Sequence, residues 1–235
     1  MVIIIKKLTG RLRISILVIE SQINLFVRSA LICSLVLVMP KENVREKLIE
    51  AGLKVFWSRG FNAAGIKELV ETAGVPKGSF YHYFDSKEAF AQAVVERYAC
   101  SSKEMHSQIL HNRSLSPLTR LRHYFEALTI DYEQMAFAKG CFLGNLSLEL
   151  ADHSTSVCQC LETAFSGWEE VITQVLVEAV DCGELSPETD IASLAAFCVN
   201  SWEGALVRMK AARNAQPLQV FLSIIFNQIL TRKQS

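Results

Sequence analysis

Between Lys77 and Lys87 the chain reads K-G-S-F-Y-H-Y-F-D-S-K, a run of rings and hydroxyls bracketed by two ammonium groups. Rings tipped with a hydroxyl or an imidazole nitrogen, set beside lysines, suit hydrogen bonding to phosphate oxygens and base edges. A second reactive group is Cys141, in A-K-G-C-F-L-G-N. Its thiolate would attack electrophilic carbon or hypochlorite-like oxidants, most readily where a nearby cation lowers the thiol pKa. Lys139 is close in sequence, and Arg208 and Lys210 are cations of a later helix that can approach. The alternative is a buried, inert thiol placed by packing. Cys158 and Cys160, with His153 nearby, do not read as a metal site. Residues two apart on a helix point to different sides, and no partner pair follows.

The elements that must position these groups are helices. From Lys41 onward the apolar residues recur at helical spacing: Val44, Leu48, Ala51, Val55 and Phe56 share one face, and Gly60 stands at the expected stop. A short helix carries Ile66, Leu69 and Val70 to Ala73-Gly74, and Pro76 suits the first turn of the next. Two short helices joined by a glycine-containing turn make a helix-turn-helix. On the second, Phe80 and Phe84 fall on one face and anchor it, while Ser79, Tyr81, His82 and Tyr83 take the outer perimeter. That perimeter reads equally as a groove-entering surface or as a rim packed on the following helix. Longer helices are expected from Ser86 to about Leu110, capped by Asp85 or Ser86, from Pro117 to about Phe137, from Cys158 to Cys182, from Asp190 to Arg213 and from Leu218 to Arg232. No useful two-residue alternation and no glycine-rich nucleotide loop is apparent, so strands are not expected and the fold class is all-α.

Composition adds bounds. The 235 residues are half hydrophobic, ample for a packed core, and the seven cysteines lack a disulfide spacing, which suits a reducing cytoplasm. Formal net charge is zero, so bulk charge gives no reason to invoke nucleic acid. Residues 1–39 are apolar with a basic start, yet Glu20 and Arg28 interrupt them. Their longest uncharged run falls short of the roughly 18 to 20 residues that span a bilayer. Met39 is expected to be the initiator, with residues 1–38 an upstream translation or a disordered extension; a membrane tether is the alternative.

The stretch E-L-V-E-T-A-G-V-P-K-G-S-F-Y-H-Y-F-D-S-K-E-A-F resembles the DNA-binding signature of the TetR family of transcriptional regulators. The resemblance implies a DNA-binding domain over 40–87 and a ligand-binding and dimerisation domain over 88–235. It implies phosphate contacts for Ser79, Tyr81, Tyr83 and Lys87, and base-edge or groove contacts for Lys77, Gly78 and His82. One departure is Gly65, where the family usually has a Thr or Ser that caps the second helix and touches a phosphate; glycine supplies no hydroxyl.

A-K-G-C-F-L-G-N-L-S-L-E-L-A-D, C-G-E-L-S-P-E-T-D and S-W-E-G-A-L-V-R-M-K are similar to a subgroup of TetR-like repressors that respond to small electrophiles or acrylate-type compounds. This implies a homodimer on double-stranded operator DNA, released by a small-molecule or electrophilic inducer. Cys141 would be the sensor, and Asn145, Trp168, Trp202, Glu203 and Lys210 line or approach the pocket; both tryptophans read equally as core. Leu194, Phe197, Cys198, Trp202, Leu206 and Met209, with Phe221, Leu222, Ile225, Phe226 and Ile229, are expected to supply the dimer bundle. No catalytic constellation, cofactor or metal is expected. An activator or dual regulator of the same fold, a helical enzyme and a membrane-tethered interaction protein are the rival readings.

Overall fold

The computed structural model describes residues 3–8, 11–16, 43–105 and 107–231. Met39, the expected initiator, and most of the apolar stretch before it fall outside the described residues. The chain divides into a unit up to Asn43 and a unit from Val44 onward.

In the first unit, β1 (Ile3–Leu8) and β2 (Arg11–Ile16) pair antiparallel, with Ile3 opposite Ile16 and Leu8 opposite Arg11. This corrects the expectation of no strands. R-L-R-I-S-I does alternate polar and apolar residues, I-I-I is β-branched, and the two residues between the strands are Thr9 and Gly10. Those are hairpin signals, overlooked because the run is short.

The second unit is helical. Three helices, α1 (Val44–Arg59), α2 (Ile66–Ala73) and α3 (Lys77–Tyr83), precede the long α4 (Lys87–Met105). After the short α5 (Ser107–Leu110) come α6 (Pro117–Gln134), α7 (Phe142–Leu150), α8 (Thr155–Asp181), α9 (Ile191–Ala212) and α10 (Gln216–Ile224). The chain then loosens into a π-turn over Ile225–Ile229. Among the described residues of this unit the all-α expectation holds.

Local chemistry sets the helix ends. Gly60 (φ 81°) and Gly74 (φ 67°) take the left-handed conformation that L side chains resist, and the Gly74 and Val75 amides bond back to Glu71 and Val70 carbonyls. Ser86 caps α4 by accepting the Ala89 amide at 3.0 Å. Gly52 lets α1 and α4 cross closely, since a Cβ there would come within 2.6 Å of the Phe90 ring.

Phe56, Phe61, Phe80, Phe84 and Phe90 form one cluster of tilted and edge-on rings beneath the first three helices. Burying each ring contributes roughly 1.5 to 3 kcal/mol relative to exposure. Arg120 is buried on α6, donating to the Leu110 carbonyl and pairing with Glu178 of α8, so it fastens the α5 end to two long helices.

Candidate nucleic-acid interface and ligand cavity

Helix α3 is short, with Phe80 buried on its inner face and Phe84, its C-terminal cap, buried beside it. Its outer face presents Lys77, Gly78, His82, Tyr81 and Tyr83, all exposed, with Ser79 half-buried. Tyr81, at 55% exposure, is not packed as a rim against α4. The His82 and Tyr83 rings stack edge-on at 4.8 Å, which orders them without using their polar atoms. Among the expected contacts Lys87 differs: its ammonium donates to the Phe61 carbonyl and lies 4.2 Å from the Phe61 ring. Partial burial lowers its pKa. Lys87 therefore braces the loop before α2 and keeps only its remaining N–H groups for a phosphate. At Gly65 no side chain caps α2, and a Cβ there would meet nothing within 4 Å.

The larger part of the unit encloses a cavity of about 940 Å³. Tyr98 on α4, Tyr124 and Tyr132 on α6, Trp168 on α8 and Trp202 on α9 line it, together with Cys141. Its wall also includes Glu50, Leu53 and Trp57 of α1, the first of the three helices that end with α3. Rings with a few polar tips are the usual lining of a small-molecule site. Burial pushes the Tyr98, Tyr124 and Tyr132 hydroxyls well above their ordinary pKa, so they serve as neutral hydrogen-bonding groups.

Cys141 also lines a second cavity of about 490 Å³, with Asn145, Glu203 and Lys210. All six ligand residues read from the sequence thus face one cavity or the other, and Cys141 faces both. The expected cation beside the sulfur is not there. Lys210 donates to Asn145 Oδ1 at 3.3 Å, Lys139 lies over the Trp57 ring at 5.1 Å, and Arg208 is exposed. Cys141 is buried, and burial together with the Glu203 carboxyl pushes its thiol pKa well up rather than down. Glu203 itself is raised to about 7 by desolvation.

Helix α7 joins this site to α1 and the turn that follows it. Cys141 is its N-cap, the preceding Gly140 carbonyl accepts the Trp57 indole N–H at 2.9 Å, and near its other end Glu149 accepts the Asn62 amide at 2.7 Å. Glu149 also fills the space beside Gly60, where a Cβ would lie 2.3 Å from its Oε1.

Residues 48–94 match the family model described as bacterial regulatory proteins, tetR family, and residues 117–225 the one described as the tetracyclin repressor-like C-terminal domain. The chain belongs to the TetR family. It is similar to the transcriptional repressor DhaR of a Mycobacterium species, at 35% identity over 82% of this chain and 95% of DhaR. It is likewise 35% identical to the transcriptional regulator AcuR of Cereibacter sphaeroides, covering 80% of this chain and 86% of AcuR. The crystal structure of E. coli NemR in its reduced form superposes with a TM-score of 0.72 at 30% identity, over 80% of this chain and 98% of that one.

For this TetR-family regulator the α9 and α10 surfaces differ from expectation. Cys198, Trp202, Leu206 and Met209, with Phe221 and Ile225, are consumed by the chain's own core. Phe197 and Ile229 of the expected set are exposed, together with Val207, Val220 and Ile224 outside it. Sequence reasoning missed the three tyrosines, Trp57 and Glu149, whose roles depend on contacts that helical periodicity does not encode. Among the described residues no helix is long and apolar enough to cross a membrane.

Proposed function

We propose that the protein is a homodimeric repressor that holds a palindromic operator through α3 and lets go when a ligand fills the larger cavity or Cys141 reacts with an electrophile. The observation that carries this reading is the double attachment of α7: Cys141 at its start, and Trp57–Gly140 and Glu149–Asn62 contacts to α1 and the α1–α2 turn. A change at the sulfur or in the cavity moves α7 against the helices that carry α3. The two recognition helices of a dimer then change separation, and one separation fits the half-sites while the other does not. Moving such an equilibrium needs a differential affinity of only about 2 to 5 kcal/mol.

Several further observations support it. The relatives DhaR and NemR are named repressors. The exposed apolar residues of α9 and α10 offer a face for a second copy. Phosphate contacts fall to Ser79, Tyr81 and Tyr83 with the free N–H groups of Lys87, and base or groove contacts to Lys77, Gly78 and His82. Such a protein works in the cytoplasm, beside its DNA, and catalyses nothing.

Fluorescence anisotropy with labelled DNA from upstream of the gene tests the DNA-binding part. Specific binding that weakens as salt rises is expected. Equal affinity for unrelated DNA at every salt concentration contradicts it.

A further inference from the structure

The sulfur of Cys141 has organised neighbours. The backbone N–H groups of Leu143 and Gly144, in the first turn of α7, lie within hydrogen-bonding reach of it. Glu203 of α9 is hydrogen-bonded to the thiol. Residue 144 has to be small for this: a Cβ on Gly144 would lie 2.5 Å from Glu203 Oε2 and 3.6 Å from Cys141 Cβ. Glu203 Oε1 is buried with no hydrogen-bond partner. The cations that would ionise the thiol in advance are engaged with Asn145 and Trp57.

We infer that Glu203 is the general base that takes the Cys141 proton as the sulfur adds to an α,β-unsaturated carbonyl compound. The S–C bond forms at the β-carbon, and the π pair of the C=C bond moves toward the carbonyl as an enolate. The S–H proton passes to the Glu203 carboxylate, which returns a proton to the α-carbon. The balance is addition of S–H across C=C, with no oxidant and no further reactant. Charge building on sulfur meets the Leu143 and Gly144 N–H groups, aided by the positive end of α7. Burial sets Glu203 near pH 7, where a base is both ionised and strong enough to accept a proton. The other titratable side chains around the two cavities are Tyr98, Tyr124 and Tyr132, held neutral by burial, with Glu50, Glu96, Asp131, Cys100 and Cys160 at the larger one and Glu162, Glu169 and Lys210 at the smaller one.

This inference rests on Cys141 being the sensor, and the test separates the two. N-ethylmaleimide is added to the full chain and to Glu203→Gln from about pH 5.5 to 8.5, quenched at intervals, and Cys141 occupancy is read by peptide mass spectrometry. The unaltered protein is expected to react faster as pH rises and to level off above a midpoint near 7. Glu203→Gln is expected to react at least tenfold more slowly at neutral pH.

A pre-formed thiolate predicts the reverse. Removing the carboxylate's charge lowers the thiol pKa, so Glu203→Gln would react as fast or faster, and that outcome overturns the proposal. Should Glu203→Gln fail to fold, the pH profile of the unaltered protein decides alone, a rate climbing without levelling being the contrary result. Cys141 left unlabelled while exposed cysteines react brings down both the base and the sensor. Normal electrophile-driven release from DNA with undiminished labelling in Glu203→Gln removes the base and leaves the sensor standing.

Discussion

The indole N–H of Trp57 is bonded at 2.9 Å to the carbonyl of Gly140, the residue beside Cys141. A helix of the DNA-binding half is thereby fixed to the point where the sulfur would be modified. The Trp57 ring also stands edge-on to Tyr98 and Phe142, so its position is held from both sides of the joint. Trp57→Phe keeps a ring and removes the donor. It is expected to cost about 0.5 to 1.5 kcal/mol of stability, to leave uninduced operator binding within a few-fold, and to raise severalfold the electrophile concentration needed for release. Chemical denaturation and anisotropy titrations with and without electrophile read both.

Phe80 and Tyr81 are neighbours with opposite tasks. Phe80 is wholly buried and Tyr81 is 55% exposed. Phe80→Ala is expected to lose about 3 to 5 kcal/mol of stability. Tyr81→Ala is expected to change stability by under about 0.5 kcal/mol while weakening operator binding tenfold or more. Denaturation midpoints paired with binding curves check the division; unaltered DNA affinity in Tyr81→Ala sinks the assignment of α3.

At Gly65 the missing hydroxyl can be restored. The backbone is extended (φ −89°, ψ 149°) and a Cβ meets nothing within 4 Å. Gly65→Thr is expected to raise stability by a few tenths of a kcal/mol through the cap and to tighten operator binding through one more phosphate contact. Because a hydroxyl releases no counterion, the dependence of affinity on salt should keep its slope. A salt series on both proteins measures this.

Glu203 makes stability depend on pH in an unusual direction. Its carboxyl is raised from 4.5 to about 7 in the fold, so between those values the folded state holds a proton that the unfolded state has released. Stability from this group is therefore greatest below about pH 4.5 and falls as pH rises to about 7. Glu203→Gln removes that loss. Relative to the unaltered protein, its stability should gain on the order of 3 kcal/mol across the window, seen in denaturation at several pH values.

Much of the fold is legible in the sequence because its punctuation is local. Gly60, Gly74, Ser86, Pro117 and Asp190 each act within a turn of the helix end they define, and most helices appear within a few residues of their expected place; α7 has no counterpart among the expected helices, and the helix expected to run to Leu110 appears as α4 and α5. The outward-facing set on α3 is legible for the same reason, since Phe80 and Phe84 fix which side is inner. The site around Cys141 is not, because Glu203 reaches it from 62 residues away and Trp57 bonds Gly140 from 83 residues away. The charge beside a thiol depends on which long side chain turns inward. Lys210 turns to Asn145 and Lys139 to Trp57, leaving Glu203 in the place expected for a cation. The residues expected at a dimer face divide, Cys198, Trp202, Leu206 and Met209 turning into the chain's own core while Phe197 stays exposed, because α9 is apolar on more than one side and periodicity does not say which side the core claims.

The measurement that bears most directly on the account is release from DNA. Operator-bound protein and its Cys141→Ser variant are titrated with an α,β-unsaturated carbonyl compound while anisotropy is followed. The unaltered protein should dissociate as Cys141 is modified, and Cys141→Ser should bind the same DNA and stay bound. Release of Cys141→Ser at the same electrophile concentration would contradict the claim that this sulfur governs α3.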